Sequence, residues 1–205
     1  MNLEAHVGRS TRRLAPLFLI VALAIGLLGS LAPATAAEAA TPAQIRAKIA
    51  SLAKSQIGKR ETGTNYYPIA YKTHSYIIRP AAWCGVFTHW AWYKGGATRR
   101  PNMTGSGVNQ GHWATYWQKW GKNNHRWKPI SQKKVAKGDV IVYGNFPASV
   151  HVGVVVDVRN DSHGRATSVR TVEGNRSDKV TDTGWRSITR LTGGGSSATG
   201  FVSPV

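Results

Sequence analysis

The chain has one cysteine, Cys84, in the run Ala81-Ala82-Trp83-Cys84-Gly85-Val86-Phe87. It follows Pro80 and opens a stretch in which Val86, Phe87, Trp90 and Ala91 share one face of a helix spanning about 84–94, which Gly95-Gly96 ends. In the first turn of a helix, free backbone N–H groups and the helix dipole favour an anion. The thiolate, which is the nucleophilic form, is therefore easier to make there. Further on, Val150-His151-Val152-Gly153-Val154-Val155-Val156 sets one histidine in an otherwise apolar strand. Thr171-Val172-Glu173-Gly174-Asn175 then ends another strand with a carboxylate and an amide. A nucleophile, a base and two alternative orienters of that base, Glu173 and Asn175, are the parts that thiol acyl transfer requires.

Each part alone has a plainer explanation. A lone cysteine is ordinarily an inert buried thiol, and a histidine among valines is ordinarily a satisfied core residue. Their joint occurrence favours a nucleophile and its general base. Strand alternation puts His151, Gly153 and Val155 on one face, and Gly153 leaves room for a second group to approach the imidazole. Glu173 and Asn175 share a face if their strand persists through both, although Gly174-Asn175 is equally ordinary turn chemistry. The Cys84 N–H is a natural first donor to an oxyanion; Asn65 and His74 are only loose candidates for the second.

These residues, in this order, resemble the CHAP family of cysteine- and histidine-dependent amidohydrolases and peptidases. The matching pieces are Trp83-Cys84-Gly85-Val86-Phe87 with Trp90, Gly138-Asp139-Val140-Ile141-Val142-Tyr143, His151-Val152-Gly153-Val154-Val155 and Val172-Glu173-Gly174-Asn175. Gly200-Phe201-Val202 resembles the family's last strand. The resemblance implies a papain-like fold, hydrolysis of peptidoglycan amide bonds, Glu173 as the orienting third residue and Asn175 in a secondary part. It implies no cofactor. Calcium, which some members hold through a carboxylate-rich loop before the nucleophile, finds only Glu61 in residues 59–80. No H-E-x-x-H motif occurs, and one cysteine cannot build a thiolate zinc site. NlpC-type peptidases also pair a helix cysteine with a strand histidine, but the Glu173-Gly174-Asn175 ending matches CHAP. A non-catalytic, cationic wall-binding protein of the same fold is the alternative from another class.

The chain opens with Arg9, Arg12 and Arg13, an apolar run from Leu17 to Leu28, and Ala34-Thr35-Ala36. This is the layout of a signal peptide over residues 1–40; the run is too short to span a bilayer, so no stable membrane anchor is expected. Arg12-Arg13 leaves the choice between general and twin-arginine export open. The remaining residues, 41–205, are the size of one domain, expected to be secreted or wall-associated and monomeric.

The formal charge is +18, and no acidic residue lies between Glu61 and Asp139. Such a surface attracts polyanions. Outside a cell the partners are peptidoglycan and anionic wall polymers rather than nucleic acid. A merely solvated basic face is the plainer reading.

Thr41-Pro42 reads as an N-cap and first helical residue, with Ile45, Ile49, Leu52 and Ala53 on one face and Gly58 closing the helix. Trp113, Tyr116, Trp117 and Trp120 read as a short helix bounded by Gly111 and Gly121; Trp113, Trp117, Trp120 and Trp127 could stack on sugars or bases, but the three at helical spacing fill the core more readily. Strands follow at 140–143, 150–158, 168–173 and about 200–202, with Gly193 to Ser197 as a flexible connector. Helices first and strands later predict an α+β domain, with N-terminal helices packed on an antiparallel sheet.

Overall fold

Thr41 starts the first helix, α1 (Pro42–Ser55), through a reciprocal cap. Its Oγ1 accepts the Gln44 N–H at 3.3 Å, and Gln44 Oε1 accepts the Thr41 N–H at 2.7 Å. Pro42 fits because the N–H it lacks would have no partner in the first turn. Ile45, Ile49, Ala50 and Ala53 form the buried face. The computed structural model describes residues 39–102 and 110–205. The leader expected over 1–40 lies, but for its last two residues, outside them.

The second helix, α2 (Cys84–Gly95), ends at Gly96, whose left-handed φ of 88° suits a residue without Cβ. One apolar face was expected, but ten of its twelve residues are buried. The helix is enclosed because glycines let neighbours close in from several sides. A Cβ at Gly95 would lie 2.3 Å from Ile49 of α1, and one at Gly85 would lie 2.4 Å from the His112 carbonyl oxygen. The third helix, α3 (Tyr116–Asn123), is shifted from its expected bounds. Trp113 lies in the turn before it, and Gly121 lies inside it, where a Cβ would press on Val202 at 3.1 Å. Trp117 and Trp120 fill the core, as expected, but Trp113, expected there too, is only half-buried.

Seven strands form the antiparallel sheet: β1 (Trp127–Pro129), β2 (Val140–Tyr143), β3 (His151–Asn160), β4 (Ala166–Glu173), β5 (Thr181–Ser187), β6 (Thr192–Gly193) and β7 (Ser196–Val202). Their order is β1-β7-β2-β3-β4-β5, with β6 paired to β7. The α+β class is as expected, whereas β1, β5 and β6 were not foreseen. Residues 193–197 are a hairpin rather than a flexible connector: Gly193 pairs with Ser196 around Gly194 and Gly195, at φ 59° and 81°. Such a two-residue turn needs positive φ to follow the strand twist.

Alternation divides the sheet's side chains between two cores. Val140, Val142, Val152, Val154 and Val172 pack with the helices. Ile141, Tyr143, Val155, Val169 and Phe201 pack on the other face with Ile188 and Leu191. The Gly138-Asp139 turn locks the helices to the sheet. Trp92 Nε1 donates to the Gly138 carbonyl at 2.9 Å, and buried Asp139 receives Arg46 of α1 at 2.5 Å and Lys128 of β1 at 2.8 Å. This fixes the height of α2, and so of its first residue, against β3.

Candidate active site

Cys84 is the first residue of α2. Trp83 before it is fully buried, and its Nε1 donates to Glu61 Oε2 at 2.7 Å, so the helix entry is anchored to the preceding loop. Within the helix, Phe87 N–H donates to the Trp83 carbonyl at 2.9 Å and Thr88 Oγ1 to the Cys84 carbonyl at 2.8 Å. The cysteine is 6% exposed and opens on a cleft of about 300 Å³ lined by Ala82, Trp113, Ala114, Thr115, Ser149 and Val150. Burial alone would push the thiol's pKa up. The charge and hydrogen bond of His151, with the backbone N–H groups of Val152 and Gly85, outweigh it and hold the thiol below its ordinary value.

His151 opens β3, and its Nε2 lies 3.1 Å from Glu173 Oε2, which leaves Nδ1 for the Cys84 sulfur. Burial would lower the imidazole's pKa, but the Cys84 thiolate and then Glu173 raise it. A lowered thiol facing a raised imidazole favours the thiolate–imidazolium form of the pair. Gly153 has the use its position predicted: Glu173 fills the space above it, and a Cβ there would lie 2.4 Å from Glu173 Cγ.

Glu173 ends β4 and is wholly withdrawn from water. Its Oε1 accepts from Tyr143 at 2.7 Å, Thr171 at 2.7 Å and Arg186 at 2.8 Å. Its Oε2 accepts from Arg176 at 2.7 Å and faces His151. Burial opposes its charge, but His151, Thr171 and Tyr143 hold the carboxyl well below the usual range. These four supporting residues were missed by sequence reasoning. Tyr143 stands opposite His151 in the β2–β3 ladder, and Thr171 precedes Glu173 by two on the same strand face, so both were open to inference from strand pairing. Arg186 sits on the unforeseen β5, a polar and only partly buried segment.

Cys84, His151 and Glu173 are thus brought together, and Asn175 is not. The strand stops at Glu173, and Asn175 turns out of it with a φ of 57°. Its Nδ2 reaches Asn65 Oδ1 at 3.3 Å, so the shared face with Glu173 is corrected to a strand-end turn. The reason lies next to it: a Cβ at Gly174 would lie 2.5 Å from Phe87 Cβ, so α2 seals the end of β4 and the chain must leave the sheet. Neither loose candidate for the second oxyanion donor lines the cleft, since Asn65 is bound to Asn175 and His74 packs against His89, Tyr76 and Tyr93. Among the described residues, no group of three or more His, Cys, Asp or Glu is placed to hold a metal ion.

The arrangement supplies an activated thiolate, a proton donor and a fixed anion behind it, which is the equipment for attack on an acyl carbon. No protein-family model, characterised protein or solved structure matches the chain.

Proposed function

We propose that this protein is an exported cysteine amidohydrolase of CHAP type, with a papain-like arrangement of helix cysteine and strand histidine, acting on bacterial peptidoglycan. The observation that carries the reading is the buried line from Cys84 through His151 to Glu173, opening at its sulfur end on a cleft. Cys84 attacks the amide carbonyl carbon. The imidazolium of His151 then gives its proton to the leaving amine, and the neutral imidazole deprotonates the water that hydrolyses the thioester. Glu173 keeps Nε2 occupied, so Nδ1 is the nitrogen that works. The wall as substrate is supported by the motif resemblance, the leader-like residues 1–40 and the charge of +18.

The test is digestion of purified peptidoglycan, with mass spectrometry of the new termini. New amino and carboxyl ends are expected from the wild type and none from Cys84→Ala. Hydrolysis that survives in Cys84→Ala would overturn the assignment. Wall binding without any cleavage by the wild type would make this a binding protein instead.

A further inference from the structure

Ser149 lies in the loop between β2 and β3, two residues before His151. Gly144 turns the chain out of β2 with a φ of 83°, and a Cβ there would stand 3.2 Å from Ser149 Cα. Gln118 of α3 pins the same loop, accepting the Phe146 N–H at 2.7 Å and donating to Asn145 Oδ1 at 2.8 Å. Ser149 is therefore held in the wall of the Cys84 cleft, 4% exposed. Its hydroxyl has no hydrogen-bond partner.

A buried hydroxyl without a partner weakens the protein that carries it. Ala82, Trp113, Ala114 and Val150 make the surrounding wall largely apolar, and alanine would suit position 149 better if packing were the sole requirement. Turning the serine about χ1 would break no hydrogen bond, which leaves the hydroxyl available to an oxygen that arrives with the substrate. The Cys84 N–H, in the first turn of α2, supplies only one of the two donors that an oxyanion needs.

We infer that Ser149 is the second oxyanion donor, a catalytic residue that hydrogen-bonds the substrate's carbonyl oxygen beside the Cys84 N–H. The inference rests on the amidohydrolase reading. As the sulfur bonds to the carbonyl carbon, the C=O π pair moves onto oxygen, and the Ser149 O–H and Cys84 N–H stabilise that charge without giving up a proton. The C=O bond then re-forms, the C–N bond breaks, and the amine leaves with the proton from His151.

Ser149→Ala separates this role from a structural one. With a soluble peptidoglycan fragment, kcat should fall roughly 100-fold while KM stays within about twofold. The unfolding midpoint should hold or rise, because the variant removes an unpartnered hydroxyl. Alkylation of Cys84 by iodoacetamide passes through no oxyanion and should keep its rate. N-acetylglycinal, whose thiolate adduct places an oxygen where the oxyanion forms, should bind about tenfold more weakly. An unchanged kcat, an effect confined to KM, or a lost fold would each overturn the inference. If the wild type cleaves no fragment, the amidohydrolase reading falls. The inference falls with it; where fragments are cleaved, equal aldehyde binding to both proteins overturns the role of Ser149 alone.

Discussion

Asp139, just before β2, and Glu173, at the end of β4, are both fully withdrawn from water, and both are met by two cationic side chains. Asp139 receives Arg46, Lys128 and the Ala136 N–H, drawn from α1, β1 and its own turn. Each of those partners only donates and belongs to the scaffold, so the cluster serves to hold elements together. Glu173 is just as well supplied, but one of its five side-chain partners is an imidazole whose other nitrogen faces a thiol on a cleft. Both carboxylates are fully buried beside two Lys or Arg side chains, although Glu173 has five side-chain partners and Asp139 two. What separates a brace from a candidate site is a partner that can gain or lose a proton within reach of a ligand.

The strongest break in the comparison comes from the titrating pair. Cys84→Ala or His151→Ala should cut peptidoglycan hydrolysis by roughly 10⁴-fold or more, and the double variant should be little worse, because the two act as a unit. Fragment release measured by mass spectrometry checks this, and clear additivity would show independent roles. At the brace the outcome should invert. Asp139→Ala leaves Arg46 and Lys128 without their buried partner, and urea unfolding should show a loss of about 3–5 kcal/mol. The turnover of the molecules that remain folded should fall far less than in the Cys84 and His151 variants, since the Trp92 bond to the Gly138 carbonyl still sets α2 against the sheet. Glu173→Gln should do some of both, lowering stability and also turnover, since the amide keeps the shape but loses the charge that steadies the imidazolium.

The pH dependence sharpens the contrast. Cys84 is lowered, so its alkylation should stay fast below the range of an ordinary thiol, and His151→Ala should move the profile back up. His151 is raised, so hydrolysis should persist above the ordinary imidazole value of 6.5 and fall only as pH rises through the raised value. Glu173 is lowered from 4.5; its contribution to stability is complete above that value and is lost as pH falls toward the folded-state pKa. A Cys84 profile that matches a free thiol in both proteins would remove the ion pair. The smallest effect belongs to neither carboxylate. Salt should weaken attachment to whole walls by screening the basic surface, while leaving hydrolysis of small soluble fragments nearly unchanged. Attachment indifferent to salt would make that surface an ordinary solvated face.

Much of the scaffold was legible because its signals are local. Thr41-Pro42 marks a cap, Gly96 a helix end, and the valines around His151 a strand, each within a few residues. β5 escaped because Thr181 to Ser187 is polar and only partly buried, as an edge strand is, and so lacks an apolar rhythm. Asn175 was misplaced because alternation holds only while a strand continues, and it is Phe87, 88 positions earlier, that closes this one.

The amino-acid sequence by itself determined which groups could do chemistry: one thiol at a helix start, one imidazole in a strand, one carboxylate at a strand end. These follow from backbone periodicity and side-chain type, which neighbours in the chain are enough to set. The tertiary structure alone decided that Tyr143, Thr171, Arg176 and Arg186 hold Glu173, and that Ser149 stands unpartnered in the cleft wall. Tyr143 and Arg186 lie 30 and 13 positions from Glu173, and they meet it only once β2 has paired with β3, and β4 with both β3 and β5. A buried charge takes its partners from whatever the packed sheet brings within 3 Å, and that distance is fixed by strand order and register, which no short stretch of the chain contains.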